Sequence, residues 1–227
     1  MKVIITGASG GIGSFLMEKF SGEEKEVYGS YNTTINKSEG KNLSKVDISD
    51  YTKVRNWIET IVIHGDHIVL INCAGISYNS FAHKADIVRW RKVIDVNLIG
   101  TFNVIHALLP FMRESNYGRI ITISSVVAQK GIPGTSAYAA SKAGLWGLTK
   151  SIAVENAKRG ITINTLNLGY FNIGMISEIP EEILSSTIKA IPVQKLGDPE
   201  EIYRAVNFLI ESDYINGTTI DINGGLF

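Results

Sequence analysis

In the segment Ser-Ala-Tyr-Ala-Ala-Ser-Lys at residues 136–142, the phenol of Tyr138 precedes the ammonium of Lys142 by four positions. On a helix that spacing places both side chains on one face, a turn apart. A free phenol titrates near about 10, which makes it a poor proton donor or acceptor at neutral pH. A fixed cation nearby favours the phenolate and moves its pKa toward the working range. The pair predicts an acid–base device. The same spacing also occurs on ordinary helix surfaces, so the surrounding elements must decide.

The first of these is a glycine loop. Residues 2–6, Lys-Val-Ile-Ile-Thr, read as a buried first strand, and Thr6-Gly7-Ala8-Ser9-Gly10-Gly11-Ile12-Gly13 follows it directly before a helix. Glycines let the backbone approach a pyrophosphate, and the free N–H groups of a helix start bind it. Strand, loop and helix in that order are the context that gives such a cluster its meaning. The end of the second strand ordinarily reads the adenosine ribose: a carboxylate selects NAD, an arginine accommodates the 2′-phosphate of NADP. Here Ser30-Tyr31-Asn32-Thr33 offers neither. Without an acid there is no repulsion against a phosphate, so NADP(H) is favoured, with NAD(H) as the alternative. Asn32, Thr33 and Lys37 are the candidate donors, and solvation of the same polar loop is the simpler reading.

Composition narrows the classes. The 227 residues suit one large α/β domain, read as a single unit over 1–227, and 44% of them are hydrophobic. Lys and Arg total 22, balanced by 22 Asp and Glu. No basic stripe appears, which argues against nucleic acid or anionic membrane as a partner. No signal peptide is evident, and no apolar run reads as long enough to cross a bilayer. The one cysteine, Cys73, rules out an internal disulfide and fits a reducing, cytoplasmic setting. It lacks a basic neighbour in sequence, so it reads as core and not as a nucleophile. Histidines 64, 67, 83 and 106 have no metal-ligand spacing, and no metal is expected.

Short Val- and Ile-rich segments at 2–6, 26–31, 43–47, 67–72, 118–124, 161–166 and 218–222 read as strands buried on both faces. Helices are expected at 11–21, 50–63, 85–113, 136–158 and 198–211, with Gly160 just past the fourth. Alternation of this kind predicts a doubly wound parallel sheet with ligands outside its carboxyl end. The connection 32–42 is too short for a full crossover helix, so a loop or a single helical turn is expected there.

Further segments now fall into line. Asp47-Ile48 closes the third strand, Asn72-Cys73-Ala74-Gly75 closes the fourth, Asn97 lies in Val-Asn-Leu-Ile-Gly, and Ser125 stands thirteen positions before Tyr138. With the glycine loop and the Tyr-x-x-x-Lys pair, the chain resembles the short-chain dehydrogenase/reductase family over nearly its whole length. It looks nearest to the family's 3-oxoacyl thioester reductases. Gly118 to Ser125, Ile191 to Ile202 and the tail Ile222-Asn-Gly-Gly225 support the likeness.

The resemblance implies a Rossmann-type seven-stranded sheet of order 3-2-1-4-5-6-7. It implies Tyr138 as general acid for ketone reduction and Ser125 as donor to the carbonyl oxygen. Lys142 would bind the nicotinamide ribose and lower the Tyr138 pKa, and Asn97 would hold a water leading from Lys142 to solvent. Gly7, Ser9, Gly10, Gly11, Ile12 and Gly13 would line the pyrophosphate, with Tyr31, Asn32, Thr33, Asp47 and Ile48 at the adenosine. Asn72, Ala74, Gly75, Gly169, Phe171 and Ile173 would lie along the rest of the cofactor. Simpler readings stand beside these: Ser124 or Ser125 ending a strand, Asn97 satisfying helix backbone, and Asp47 capping the helix that begins near 50.

Two departures follow the sixth strand of such enzymes. Leu168 replaces a proline, which would loosen the loop, and Ile173 replaces a threonine, leaving only its backbone N–H for the nicotinamide carboxamide. Residues 170–191 resemble a substrate lid, whose Tyr170, Phe171, Met175, Ile176, Ile179, Ile183, Leu184 and Ile188 suit an apolar or acyl substrate or else pack on the domain. The acidic run Glu178 to Glu182 reads as a solvated face. Arg159 matches one cation used for acyl-carrier-protein docking, while Asn116 stands at another.

The expected function is NADP(H)-dependent reduction of a 3-oxoacyl thioester, on acyl carrier protein or coenzyme A. Alternatives are an NAD-dependent secondary-alcohol dehydrogenase and a dinucleotide-binding scaffold without turnover. The resemblance also implies a homotetramer, or a homodimer, using helices 85–113 and 136–158 and the C-terminal tail.

Overall fold

The computed structural model describes residues 1–23, 25–33, 42–174, 176 and 180–227. Seven strands form one sheet of order β3-β2-β1-β4-β5-β6-β7: β1 (Lys2–Thr6), β2 (Glu26–Tyr31), β3 (Leu43–Lys45), β4 (Ile68–Asn72), β5 (Gly118–Ser125), β6 (Ile161–Leu168) and β7 (Thr219–Ile222). Every adjacent pair is parallel. The helices are α1 (Gly11–Ser21), α2 (Tyr51–Ile61), α3 (Ile87–Ile94), α4 (Thr101–Ser115), α5 (Val127–Lys130), α6 (Ser136–Asn156), α7 (Glu181–Ala190) and α8 (Pro199–Glu211).

Alternating strand residues feed two cores, one on each sheet face. Ile4, Ile68, Leu70, Ile120 and Ile163 meet Val54, Trp57 and Ile58 of α2, Ile105 and Leu108 of α4 and Ile152 of α6. Val3, Ile5, Val69, Ile71, Ile121 and Ile123 meet Leu16 and Phe20 of α1 and Ile202, Val206 and Leu209 of α8. A strand covered on both faces has no polar side to show, which is why these runs read as continuously apolar.

Three boundaries differ from expectation. The third strand ends at Lys45, before Asp47. Asp50, not Asp47, caps α2, its carboxylate accepting from the N–H groups of Thr52 at 3.0 Å and Lys53 at 3.2 Å. Asp47 instead turns back on Ser49, accepting from its N–H at 3.1 Å and its hydroxyl at 2.6 Å. The helix expected over 85–113 is divided by a π-type segment, Asp95–Gly100, between α3 and α4.

Taken together, Ile87–Ser115 is long and apolar enough, by length and composition, to cross a membrane, contrary to the sequence reading. Half of its apolar window is buried, and Val104, Ile105, Leu108 and Met112 pack on the sheet, as in the core helix of an α/β domain. Residues 34–41, with Lys37, lie outside the described residues, as do Glu178, Met175 and Ile179. Glu181 and Glu182 are exposed in the first turn of α7, where the helix dipole favours negative charge.

Buried Arg119 locks the amino-terminal end of this half of the sheet. Its guanidinium donates to the carbonyls of Ile210, Gly118 and Gly160, each at 3.0 Å. Arg119→Leu removes all three donors from carbonyls that water reaches poorly. The expected loss is about 2–4 kcal/mol of unfolding free energy in urea titration, with the sheet unchanged by circular dichroism.

Candidate active site

The carboxyl ends of β1, β4, β5 and β6 converge on two cavities. One, of about 880 Å³, is lined by Gly7, Ser9, Gly10, Gly11, Tyr31, Asn32, Thr33, Asp47, Ile48, Ala74 and Gly75 among others. The second, of about 520 Å³, is lined by Ile12, Gly13, Ser125, Tyr138, Gly169, Phe171 and Ile173 and shares Gly7, Gly10, Gly11 and Gly75 with the first. The glycine loop is thus the common wall between the two arms.

Its glycines are required by contact. Gly7 sits at φ +66°, and a Cβ there would lie 2.7 Å from the Ala74 Cα. A Cβ on Gly13 would lie 2.2 Å from the Gly7 carbonyl oxygen. The start of α1 is capped by Gly10 with no side-chain hydrogen bond, so its first N–H groups face the cleft. Beside them the buried Ser30 hydroxyl has no partner. A cradle of bare backbone, uncapped N–H groups and an orphan hydroxyl fits the phosphates of a dinucleotide.

From the lid side, the Ile173–Gly174 turn reaches this cradle: a Cβ on Gly11 would lie 2.4 Å from the Gly174 Cα. The loop after β6 is pinned despite the missing proline. Val126 N–H donates to the Leu168 carbonyl at 2.8 Å, and Gly169 N–H to Ile222 at 2.9 Å. Phe171 is 6% exposed, its ring seated where a Gly197 side chain would begin. The Ile173 N–H, expected for the nicotinamide, donates instead to the Phe171 carbonyl at 2.8 Å. Phe171 and Ile176 are both buried and wall the second cavity, whereas Ile183 of α7 is exposed.

Strand alternation separates the two serines. Ser124 points inward, donating to the Lys142 carbonyl at 3.1 Å and accepting from the Trp146 indole at 3.2 Å. Ser125 faces the second cavity, and its oxygen accepts from the Val127 N–H at 3.2 Å. Tyr138 lines the same cavity as Ser125.

Burial pushes the Tyr138 phenol above its ordinary value, and the Ser125 hydrogen bond opposes it. The lowering expected from Lys142 is absent in this arrangement. The Lys142 Nζ lies 5.7 Å from the centre of the Tyr138 ring and donates to the Ile123 carbonyl at 2.7 Å. Burial brings Lys142 down to about 8, with Cys73 opposing. Cys73 has a basic neighbour after all, in space though not in sequence, yet burial pushes its thiol up to about 12 and leaves it unreactive.

Asn97 lies in the π-type segment, fully buried. Its side chain clamps one peptide: Oδ1 accepts from Ile76 N–H at 2.8 Å, and Nδ2 donates to Ile76 O at 2.9 Å. Nδ2 also donates to the Ser141 hydroxyl at 3.0 Å, and the Thr101 hydroxyl donates to the Asn97 carbonyl at 2.8 Å. Asn72 stays behind the cavity wall, accepting from the Thr6 hydroxyl at 3.4 Å, and that hydroxyl in turn accepts from Ala74 N–H at 3.2 Å. The structure therefore places Asn72, Asn97 and Lys142 behind the lining and the other expected residues on it.

Sequence reading missed Ser77, Tyr78, Arg89 and Lys92, which also line the first cavity. Arg89 and Lys92 stand three apart on one face of α3, a detectable signal, but only the fold of the β4–α3 loop brings that face to the cleft. Among the described residues no metal-binding cluster of His, Cys, Asp or Glu occurs. His64 pairs with Glu114, His67 stacks on Tyr117, His83 lies near Phe81 and His106 bonds Tyr51.

The buried ammonium gives a pH signature. Below about 8 Lys142 is charged in folded and unfolded chains alike, so the full burial penalty acts. Between there and its ordinary value the unfolded chain binds the extra proton, and stability from this group rises with pH. Urea titrations of wild type and Lys142→Met should therefore differ least in wild type's disfavour at high pH. The wild-type midpoint should gain on the variant's from pH 7.5 to 10; a constant difference would contradict the shifted ammonium.

A family model described as enoyl-(acyl carrier protein) reductase matches residues 7–227. An acetoacetyl-CoA reductase of Rhizobium meliloti (strain 1021) is 37% identical, covering 99% of this chain and 97% of its own. A 3-oxoacyl-[acyl-carrier-protein] reductase of Thermotoga maritima is 35% identical, covering 98% and 96%. The crystal structure of a 3-oxoacyl-[acyl-carrier protein] reductase from Brucella melitensis superposes with a TM-score of 0.88 at 30% identity, covering 99% of this chain and 90% of that one. Likeness of that extent means that the chain belongs to the short-chain dehydrogenase/reductase family of nicotinamide-dependent oxidoreductases.

Proposed function

We propose that this chain reduces a 3-oxoacyl thioester to its secondary alcohol with NADP(H). The observation that carries the reading is that Ser125 and Tyr138 line one apolar-sided cavity that shares the glycine cradle with the dinucleotide arm. The names of the relatives, acetoacetyl-CoA and 3-oxoacyl-[acyl-carrier-protein] reductases, support the same substrate class.

The bound nicotinamide supplies the hydride. Glycines 7, 10, 11 and 13 and the start of α1 hold the phosphates, and Tyr31, Asn32, Thr33, Asp47 and Ile48 surround the adenosine. Ser125 donates to the ketone oxygen as charge develops there. Tyr138, kept protonated by burial, gives its proton to that oxygen. Lys142, which here donates to the Ile123 carbonyl, is the nearby cation that would hold the cofactor ribose. Asn97 holds the Ile76 peptide at the cleft edge, and a relay water would share its carbonyl with the Thr101 hydroxyl. Tyr170, Phe171, Ile173 and Ile176 give the acyl group an apolar wall.

Absence of an acid at Ser30–Thr33 supports NADP(H) over NAD(H). Arg159 is exposed beside Gly160, where a Cβ would touch Asn116, so the two positions adjoin at the amino ends of β6 and β5, the end of the sheet opposite the cleft, and do not bear on the thioester carrier within one copy. The lone, reduced Cys73 suits the cytoplasm. Exposed Ile99, Phe102 and Val154 on the α4 and α6 side, and Val193, Phe208, Tyr214 and Phe227 near the tail, support assembly of four copies.

Assayed with acetoacetyl-CoA, the protein should oxidise NADPH faster than NADH. Tyr138→Phe should lower kcat about 10³-fold with NADPH affinity unchanged, measured by fluorescence titration. Near-normal turnover in that variant would remove Tyr138 as the acid, and failure to bind either cofactor would remove the enzyme reading. Light scattering should give a tetramer, and Val154→Asp with Phe102→Asp should halve its mass.

A further inference from the structure

The adenosine arm needs a cation if it prefers a phosphorylated ribose, and among the described residues the end of β2, through Thr33, provides none. Among the described residues lining that cavity, the only cations are Arg89 and Lys92 of α3, and the only acid is Asp47. The Asp47 carboxylate is occupied by Ser49. Arg89 is held at both ends. Its N–H donates to the Asp86 carboxylate that caps α3, at 3.1 Å, and its guanidinium lies 4.5 Å above the Tyr78 ring. Tyr78 is itself fixed, its hydroxyl accepting from Asp86 N–H at 2.9 Å. Neither Arg89 nor Lys92 makes an ion pair among the described residues. A guanidinium stacked on a fixed ring keeps its N–H edge free for an anion and loses little freedom on binding one.

We propose that Arg89 on Tyr78, together with Lys92, forms a subsite for the phosphomonoester on an adenosine ribose. This rests on the reductase reading above, which offers two sources of that chemistry: the 2′-phosphate of NADP(H) and the 3′-phosphate of a coenzyme A thioester. The subsite shares its cavity with Tyr31, Asn32 and Thr33, which favours the first. Ser77, next to Tyr78, lines both cavities, so the second source lies within the same loop's reach.

The test is calorimetric titration of wild type and Arg89→Gln/Lys92→Gln with adenosine 2′,5′-bisphosphate, adenosine 3′,5′-bisphosphate and 5′-AMP, alongside NADPH and NADH. The double variant should lose roughly ten- to a hundredfold in affinity for one bisphosphate, with 5′-AMP, NADH and the melting temperature unchanged. Loss confined to the 2′ isomer and NADPH assigns the cofactor, and loss confined to the 3′ isomer assigns coenzyme A. Unchanged binding of both bisphosphates, or an equal loss for 5′-AMP, overturns the subsite. If wild type binds neither NADPH nor NADH but still separates a bisphosphate from 5′-AMP through these two residues, the reductase reading fails and the subsite stands.

Discussion

Parallel pairing of β1 with β4 brings Gly7 against the Ala74 backbone, and the geometry of the cleft depends on that contact. The contact needs a missing Cβ at Gly7 and a second at Gly13, where the helix start folds back on the Gly7 carbonyl. The Thr6 hydroxyl, bridging Asn72 and Ala74, holds the two strand ends in register. Because α1 begins here with no side-chain cap, its N–H groups and its dipole stay available to an anion. A single side chain at either glycine would part the strands and close the cradle.

Electrostatics at the second cavity depend on burial more than on charge pairing. Tyr138 and Lys142 occupy one helix face, yet each is governed by loss of water: the phenol is pushed up, the ammonium down. Burial keeps the phenol protonated but makes it a weaker acid, so its use as a proton donor depends on the opposing effect of Ser125 and on a cation brought near it. An ammonium brought to about 8 is close enough to neutral pH to exchange protons readily. The same burial silences Cys73, which shares their surroundings. Ser125 lines the same cavity as Tyr138, its oxygen accepting from the Val127 N–H.

The wall opposite depends on backbone pairing across the loop after β6. Phe171 and Asn172 are tied to Gly197, since Asn172 N–H donates to the Gly197 carbonyl at 3.0 Å and Gly197 N–H to Tyr170 at 2.9 Å. Those bonds, with Leu168 and Gly169 bound to neighbouring strands, do the work that a proline ring would do by restricting φ. Departure of Leu168 from the family pattern therefore leaves the wall firm, while Ile173 turns its N–H inward and presents an aliphatic side chain. On the far side, the β4–α3 loop joins the site through the Ser80 N–H bond to Gly134 at 2.8 Å, and α3 through the Trp90 indole bond to Ser136 at 3.1 Å.

The sequence by itself determined the strand and helix alternation, the glycine cradle and the Tyr138–Lys142 pair, because each is written in local spacing, while Ser125 came from the resemblance to the family. Apolar runs bounded by glycines specify buried strands, and i to i+4 spacing specifies a helix face whatever the rest of the chain does. Periodicity could not show the π-type segment at Asn97, since an inserted residue in a helix leaves the apolar pattern nearly intact. Nor could it show that Asp50 rather than Asp47 caps α2, where two acids three apart compete and the strand's end decides. Only the tertiary structure decided which charges meet. The Cys73–Lys142 approach, the Asn97 clamp on Ile76 and the arrival of Arg89 at the adenosine arm join residues far apart in the chain. Their distances, and the water excluded from between them, follow from how sheet and helices pack, a quantity that no local spacing contains.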